Sequence, residues 1–141
     1  LLVSTTACDK NNHVKDNETI LSSSSSKAVL HQCSRSTPSN VESFWHVTPD
    51  IVTQLDSDLF KLDPKKYGID HVSQSGREYA GLVIDGHQVV YINAYPFKQV
   101  STMHIDTNGV VAVCDGGPDF WGAIYDPQTR NFSQFEFNGG F

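Results

Sequence analysis

The sequence predicts an α+β fold: one N-terminal amphipathic helix packed on a four- to five-stranded antiparallel meander sheet. Two observations predict it. A capped helix start with a 3.6-residue apolar period falls near position 48, and after it short apolar or alternating runs recur between turn signals to the end of the chain. At 141 residues, 38% of them hydrophobic and 11% aromatic, the chain holds one core of ordinary size. A single α+β domain is therefore expected over residues 41–141.

The helix comes first. In "FWHVTPDIVTQLDSDLFKLDP", Thr48 is placed as N-cap, Pro49 at the first helical position and Asp50 in the first turn. Val47 and Val52 have the spacing of a hydrophobic staple. Ile51, Leu55, Leu59 and Leu62 recur at helical spacing, and Pro64 ends the run. Strands follow. "YAGLVI" and "QVVYINAY" flank Asp85, Gly86 and His87, a turn whose Asp-Gly pair suits positive backbone angles. "VVAVC" is expected as a strand after the Asn108-Gly109 turn. "FWGAIY" and "FSQFEF" flank "DPQTRN", where Pro127 suits the second position of a type I turn and forbids strand continuation. The loop "PFKQVSTMHIDTN" holds extra length between the central strands. A helix covering one face of such a meander is a two-layer arrangement, similar to a cystatin-like wrap.

Charge divides the chain unevenly. The first forty residues carry four basic and three acidic side chains, a net +1, so with −6 over the whole chain the remainder carries −7. An acidic domain without a basic stripe repels phosphate backbones, which argues against nucleic acid and for a basic protein partner. No run of residues approaches the roughly 18 to 20 apolar positions that span a bilayer. From 9 to 40 the chain is polar, serine-rich and aperiodic, a composition that buries too little apolar surface to offset its ordering entropy. It reads as a disordered tether with a root-mean-square reach of roughly 30 Å. Within it, "KAVLHQC" has the character of a short piece able to dock on the domain.

The opening "LLVSTTAC" resembles the end of a bacterial lipoprotein signal peptide. Leu1, Leu2 and Val3 supply the apolar run, Thr6 and Ala7 the small pair, and Cys8 the thiol. The resemblance implies a signal segment over 1–8, lipid on the Cys8 sulfur, and a lipid anchor in the bacterial cell envelope with the domain facing the periplasm. Asp9 directly after the cysteine points, in the enteric version of that sorting system, to the inner membrane. With Cys8 lipidated, Cys33 and Cys114 remain as a possible disulfide pair, suited to an oxidising envelope. The other reading keeps Cys114 as a buried strand residue and Cys33 as a free thiol. The last sixty or so residues resemble a loose group of small bacterial envelope proteins, through Tyr79 to Gly81, Tyr91 to Ala94, Asp115 to Gly117, Trp121, Tyr125-Asp126, Thr129 and Asn138-Gly139. That likeness implies a fold and no reaction.

Catalytic signals are sparse. Cys114 with His104 or His87 as base is the sharpest nucleophilic set, yet Cys114 ends an expected strand, where a structural cysteine is the usual occupant. Asp115, Asp119 and Asp126 offer too few carboxylates, at the wrong spacing, for calcium, and suit turn geometry. No metal, no cofactor and no enzymatic activity are therefore expected. Binding is better supported. "SQSGREYAG" is similar, at Ser75, Gly76 and Tyr79, to the Ser-Gly-x-x-Tyr element of periplasmic lysozyme inhibitors, which implies a loop that enters a glycosidase cleft. Ser75, Arg77 and Tyr79, with Trp121 and Tyr125 from an aromatic set that includes Tyr91, Tyr95 and Phe120, form the candidate binding residues. The expected function is a membrane-anchored protein-binding module, an inhibitor or an immunity protein against an envelope-targeted enzyme. The alternative is a structural or assembly lipoprotein with a broad exposed apolar patch on the sheet, and behind it a Cys/His enzyme.

Overall fold

The computed structural model describes residues 10–101 and 109–140. Cys8, Asp9 and His104 lie outside the described residues. Among those described, seven strands form one mixed sheet: β1 (Asn12–Lys15), β2 (Glu18–Ile20), β3 (Val41–Trp45), β4 (Ser75–Ile84), β5 (His87–Pro96), β6 (Trp121–Asp126) and β7 (Asn131–Phe137). Four short helices accompany them: α1 (Ser23–Val29), α2 (Pro49–Leu59), α3 (Pro64–Tyr67) and α4 (Phe97–Ser101).

The C-terminal strands run consecutively. β4 pairs with β5 along its whole length from Ser75↔Pro96 to Ile84↔His87, β5 with β6, and β6 with β7, all antiparallel. The tight β4–β5 turn needs positive φ at two successive residues, and Asp85 (φ 51°) and Gly86 (φ 74°) supply it. The other edge of β4 is shared. β2 lies parallel to Arg77–Tyr79, while β3 lies antiparallel to Gly81–Ile84. Gly81 is required where β3 crosses, since a Cβ there would stand 2.1 Å from the Trp45 carbonyl oxygen. The Trp45 indole N–H reaches across to the carbonyls of Leu82 and Val89, at 3.1 and 2.9 Å.

Apolar residues cover both faces of this sheet. On one, Val52, Leu55 and Leu59 of α2 pack on Tyr79, Val90, Ile92 and Tyr125. On the other, Leu21 and Val29 pack on Ala80, Leu82, Tyr91 and Ile124. The split follows from the two-residue period of β4 and β5, whose neighbouring side chains point to opposite faces.

The fold therefore corrects the expected one. The amphipathic helix forms over Pro49–Leu59, with the Thr48 hydroxyl accepting from Ile51 N at 3.3 Å, but it is not the N-terminal element. Two strands, a helix and a third strand precede it. The sheet is seven-stranded and mixed rather than a four- to five-stranded antiparallel meander, and helices on both faces replace the single cystatin-like wrap. The expected disordered tether over 9–40 is folded from Asn12 onward. Its few apolar side chains are almost all spent on the core, with Ile20, Leu21 and Val29 buried. Ser22 caps α1 by accepting from Ser25 N, and Asn11 Oδ1 accepts from Ser22 N. "VVAVC" forms a single bridge at Val111 instead of a strand. Its backbone bonds go to side chains: Val111 N donates to the Glu78 carboxylate at 2.9 Å, and Val111 O accepts from Asn93 Nδ2 at 2.8 Å.

Candidate functional site

Cys33 and Cys114 form a disulfide, with sulfurs 2.08 Å apart and Cα atoms 5.3 Å apart across 81 positions of sequence. Both cysteines are exposed. The sulfur of Cys114 is thus bonded and is not the free thiolate that a Cys/His enzyme requires. His87 opens β5 just after the β4–β5 turn, Asp115 and Asp119 lie in the loop before β6, and Asp126 is the last residue of β6, its carboxylate accepting from Gln128 N at 2.8 Å. Among the described residues no three His, Cys, Asp or Glu side chains come together as a metal site.

The five candidate binding residues are all buried, which corrects the expectation of a protruding loop and an exposed aromatic patch. Ser75, Arg77 and Tyr79 are part of β4 rather than a loop, and no more than 4% of any of them is exposed. The element fails as a docking loop because α2 lies over that face of the strand. Tyr125 fixes α2 to the end of β6. Its hydroxyl donates to Asp58 Oδ2 at 2.6 Å and accepts from Gln54 Nε2 at 2.7 Å, while Arg130 grips the same Asp58 through two bonds of 2.9 Å. That guanidinium and burial compete at Asp58, and the guanidinium prevails, holding the carboxyl below its ordinary value. Trp121 is 3% exposed and belongs to the core beside Phe135.

Ser75 and Trp121 nevertheless meet at one place. At the sheet end where β4 and β6 begin and β5 finishes, an open cavity of about 320 Å³ is lined by Ser75, Tyr95 and Trp121 with Asp70, His71 and Asp119. Gln74, Pro96 and Asp119 continue it into a second concavity beside Asp16, Asn17, Phe97 and Lys98. Together they make a groove across the end of the sheet. Aromatic rings line part of it, and Asp16, Asp70 and Asp119 set three carboxylates against Lys98. Such a lining favours a cationic side chain over an anionic one.

Beneath α2, Arg77 and Tyr79 join two carboxylates that sequence reasoning missed. The Tyr79 hydroxyl lies 2.8 Å from Glu18 Oε2 and 2.7 Å from Asp56 Oδ1, and accepts from Arg77 Nε at 2.9 Å. Arg77 Nη1 donates to Ser75 Oγ at 2.8 Å and to Val72 O at 3.2 Å. The ring of Phe60 roofs the guanidinium, its centroid 5.5 Å from Arg77 Cζ. Burial, with the hydrogen bond to Glu18, raises the Asp56 carboxyl to about 7. Burial acts on Glu18 in the same sense, but the hydrogen bonds from Asp56 and Tyr79 outweigh it and hold Glu18 below its ordinary value. One signal for Asp56 was present: it stands four residues after Val52, on the apolar stripe of its helix, where an acid needs a partner. Glu18, in a three-residue strand within a polar stretch, carried none.

On the opposite face, Arg35 gathers the Tyr91 hydroxyl, Asn93 Oδ1 and Asn138 Oδ1, tying the disulfide-bearing loops to the sheet. Compared with known proteins, the chain matches no protein-family model, no curated protein and no solved structure.

Proposed function

We propose that this chain is a protein-binding module of the bacterial cell envelope, lipid-anchored through Cys8, facing the periplasm and directed at a basic protein partner. In that role it acts by occupancy, as an inhibitor or immunity protein against an envelope-targeted enzyme does. The observation that carries the reading is the groove across the sheet end, whose aromatic and carboxylate lining suits a Lys- or Arg-bearing segment of a partner. The Cys33–Cys114 disulfide supports an oxidising compartment. The assembly-lipoprotein alternative calls for a broad apolar patch, and among the described residues Phe60 alone is a large apolar side chain that is exposed.

Two measurements test the proposal. Intact mass of the protein from a membrane fraction of its host, beside a Cys8→Ser variant, is expected to show a cleaved, acylated chain that the variant lacks. An unmodified mass in the soluble fraction removes the anchor. For binding, a photo-crosslinking amino acid replaces His71 or Asp119 in the groove, or Gln128 at the other end of the sheet. A discrete adduct from the two groove positions and not from Gln128 is the expected result. The reverse pattern, or no adduct, overturns the groove as the binding site.

A further inference from the structure

The polar cluster under α2 is built with one proton too few. The hydroxyl of Tyr79 faces Glu18 Oε2 and Asp56 Oδ1 at hydrogen-bond distance and has a single proton to give. Arg77 spends its Nε on the Tyr79 oxygen, and its Nη2 stands farther from the carboxylates, 3.6 Å from Asp56 and 3.8 Å from Glu18. One carboxylate oxygen is therefore left facing another acceptor unless a carboxyl carries a proton. Charge gives the same count. With both acids ionised, two negative charges surround one guanidinium, and the Glu18 side chain is fully buried. The ammonium of Lys15, at the end of β1, approaches Glu18 Oε1 to 3.4 Å, but that side chain is 68% exposed and its charge is screened by water. An uncompensated buried charge is costly; a shared proton neutralises it.

The element that carries Glu18 is the shortest strand among the described residues. β2 contributes three residues, pairing Glu18↔Arg77, Thr19↔Glu78 and Ile20↔Tyr79. Its partner on the outer side, β1, is a four-residue edge strand whose register shifts between His13 and Lys15. So short a pair has little of its own to hold it. Glu18 is the buried acid by which β2 reaches both β4 and α2.

We propose that residues 12–20 form a proton-controlled clasp. While one proton is shared between the Glu18 and Asp56 carboxyls, β2 is seated; when it leaves, β1 and β2 loosen, whereas α1 stays packed on the opposite face and Cys33 stays fixed to Cys114. The carboxyl of Asp56, raised by burial to about 7, sets the direction. Its folded value lies above the ordinary 3.8, so the stabilisation it brings is complete at low pH and is lost as pH rises through about 7. Glu18, held below its ordinary 4.5, contributes in the opposite sense, and its stabilisation is lost in acid. The closed clasp occupies the window between the two. This inference stands apart from the groove and from the lipid anchor.

Amide hydrogen exchange read by mass spectrometry tests it, at about pH 5.5 and about pH 8.5, with rates corrected for intrinsic pH dependence. In the wild-type chain, protection over residues 12–20 is expected to fall roughly tenfold or more at the higher pH, while residues 23–29 keep theirs. In Asp56→Asn, where the remaining Glu18 balances Arg77, the fall is expected to vanish. Glu18→Gln, which leaves α2 untouched, gives the same test should the first variant not fold. Uniform protection of the wild-type arm across this range overturns the clasp. So does an undiminished fall in the folded variants.

Discussion

Single residues set the tightest constraints where backbone or ring meets a missing side chain. A Cβ on Gly122 would lie 2.3 Å from the Tyr91 hydroxyl, and one on Gly81 would meet the backbone of β3. Gly81→Ala, with no flexible group to yield, is expected to lower stability by about 2 to 3 kcal/mol, seen as a shifted urea midpoint at unchanged slope. Tyr125→Phe removes a hydroxyl that ties α2 to β6 and is expected to lose about 1 kcal/mol, while crosslinking from the groove persists. Loss of crosslinking in that folded variant would return Tyr125 to the binding surface. At this scale the sequence was partly legible. Asp85-Gly86 announces its turn through the backbone angles it tolerates. Arg35, in a run of serine and polar residues, gives no hint that it will reach Asn93, 58 positions away, because a long-range partner leaves no local pattern.

Whole elements were legible where their order is local. α2 carries its own cap, first-turn proline and apolar stripe, and the β4–β5 and β6–β7 pairs are each marked by the turn between their strands. Leu55, fully buried at the centre of α2, is the position where this matters most. Leu55→Ala is expected to cost about 2 to 5 kcal/mol by thermal or urea unfolding, and Thr48→Ala, at the exposed cap, about 1. A smaller penalty at Leu55 would mean that α2 contributes less to the core than its burial indicates. β2 was illegible for the opposite reason. Three residues show no period, and a parallel partner nearly sixty positions away is chosen by burial of Glu18 and Ile20 rather than by a turn. "VVAVC" reads as a strand by composition, yet Glu78 and Asn93 take its backbone bonds, and a side chain that does so is indistinguishable in sequence from one that faces solvent.

For the molecule as a whole, the acidic balance was apparent from composition; the division of the core between the two sheet faces was not, and neither was the candidate groove, since it is assembled from the ends of three strands and the loops beside them. The disulfide belongs to this scale. Replacing both cysteines, Cys33→Ser with Cys114→Ser, is expected to lower stability by about 4 kcal/mol through the freed entropy of the unfolded chain, measured against the oxidised wild type. An unchanged midpoint would mean that the unfolded chain is held compact by other means. The same bond has a consequence for turnover. A protease that cuts once between Cys33 and Cys114 yields two polypeptides that remain joined, so such a clip cannot shed the C-terminal piece from whatever retains the N-terminal one. On a gel the clipped protein runs as one band without reductant and as two with it, and release from a membrane then requires reduction, or a cut outside the ring.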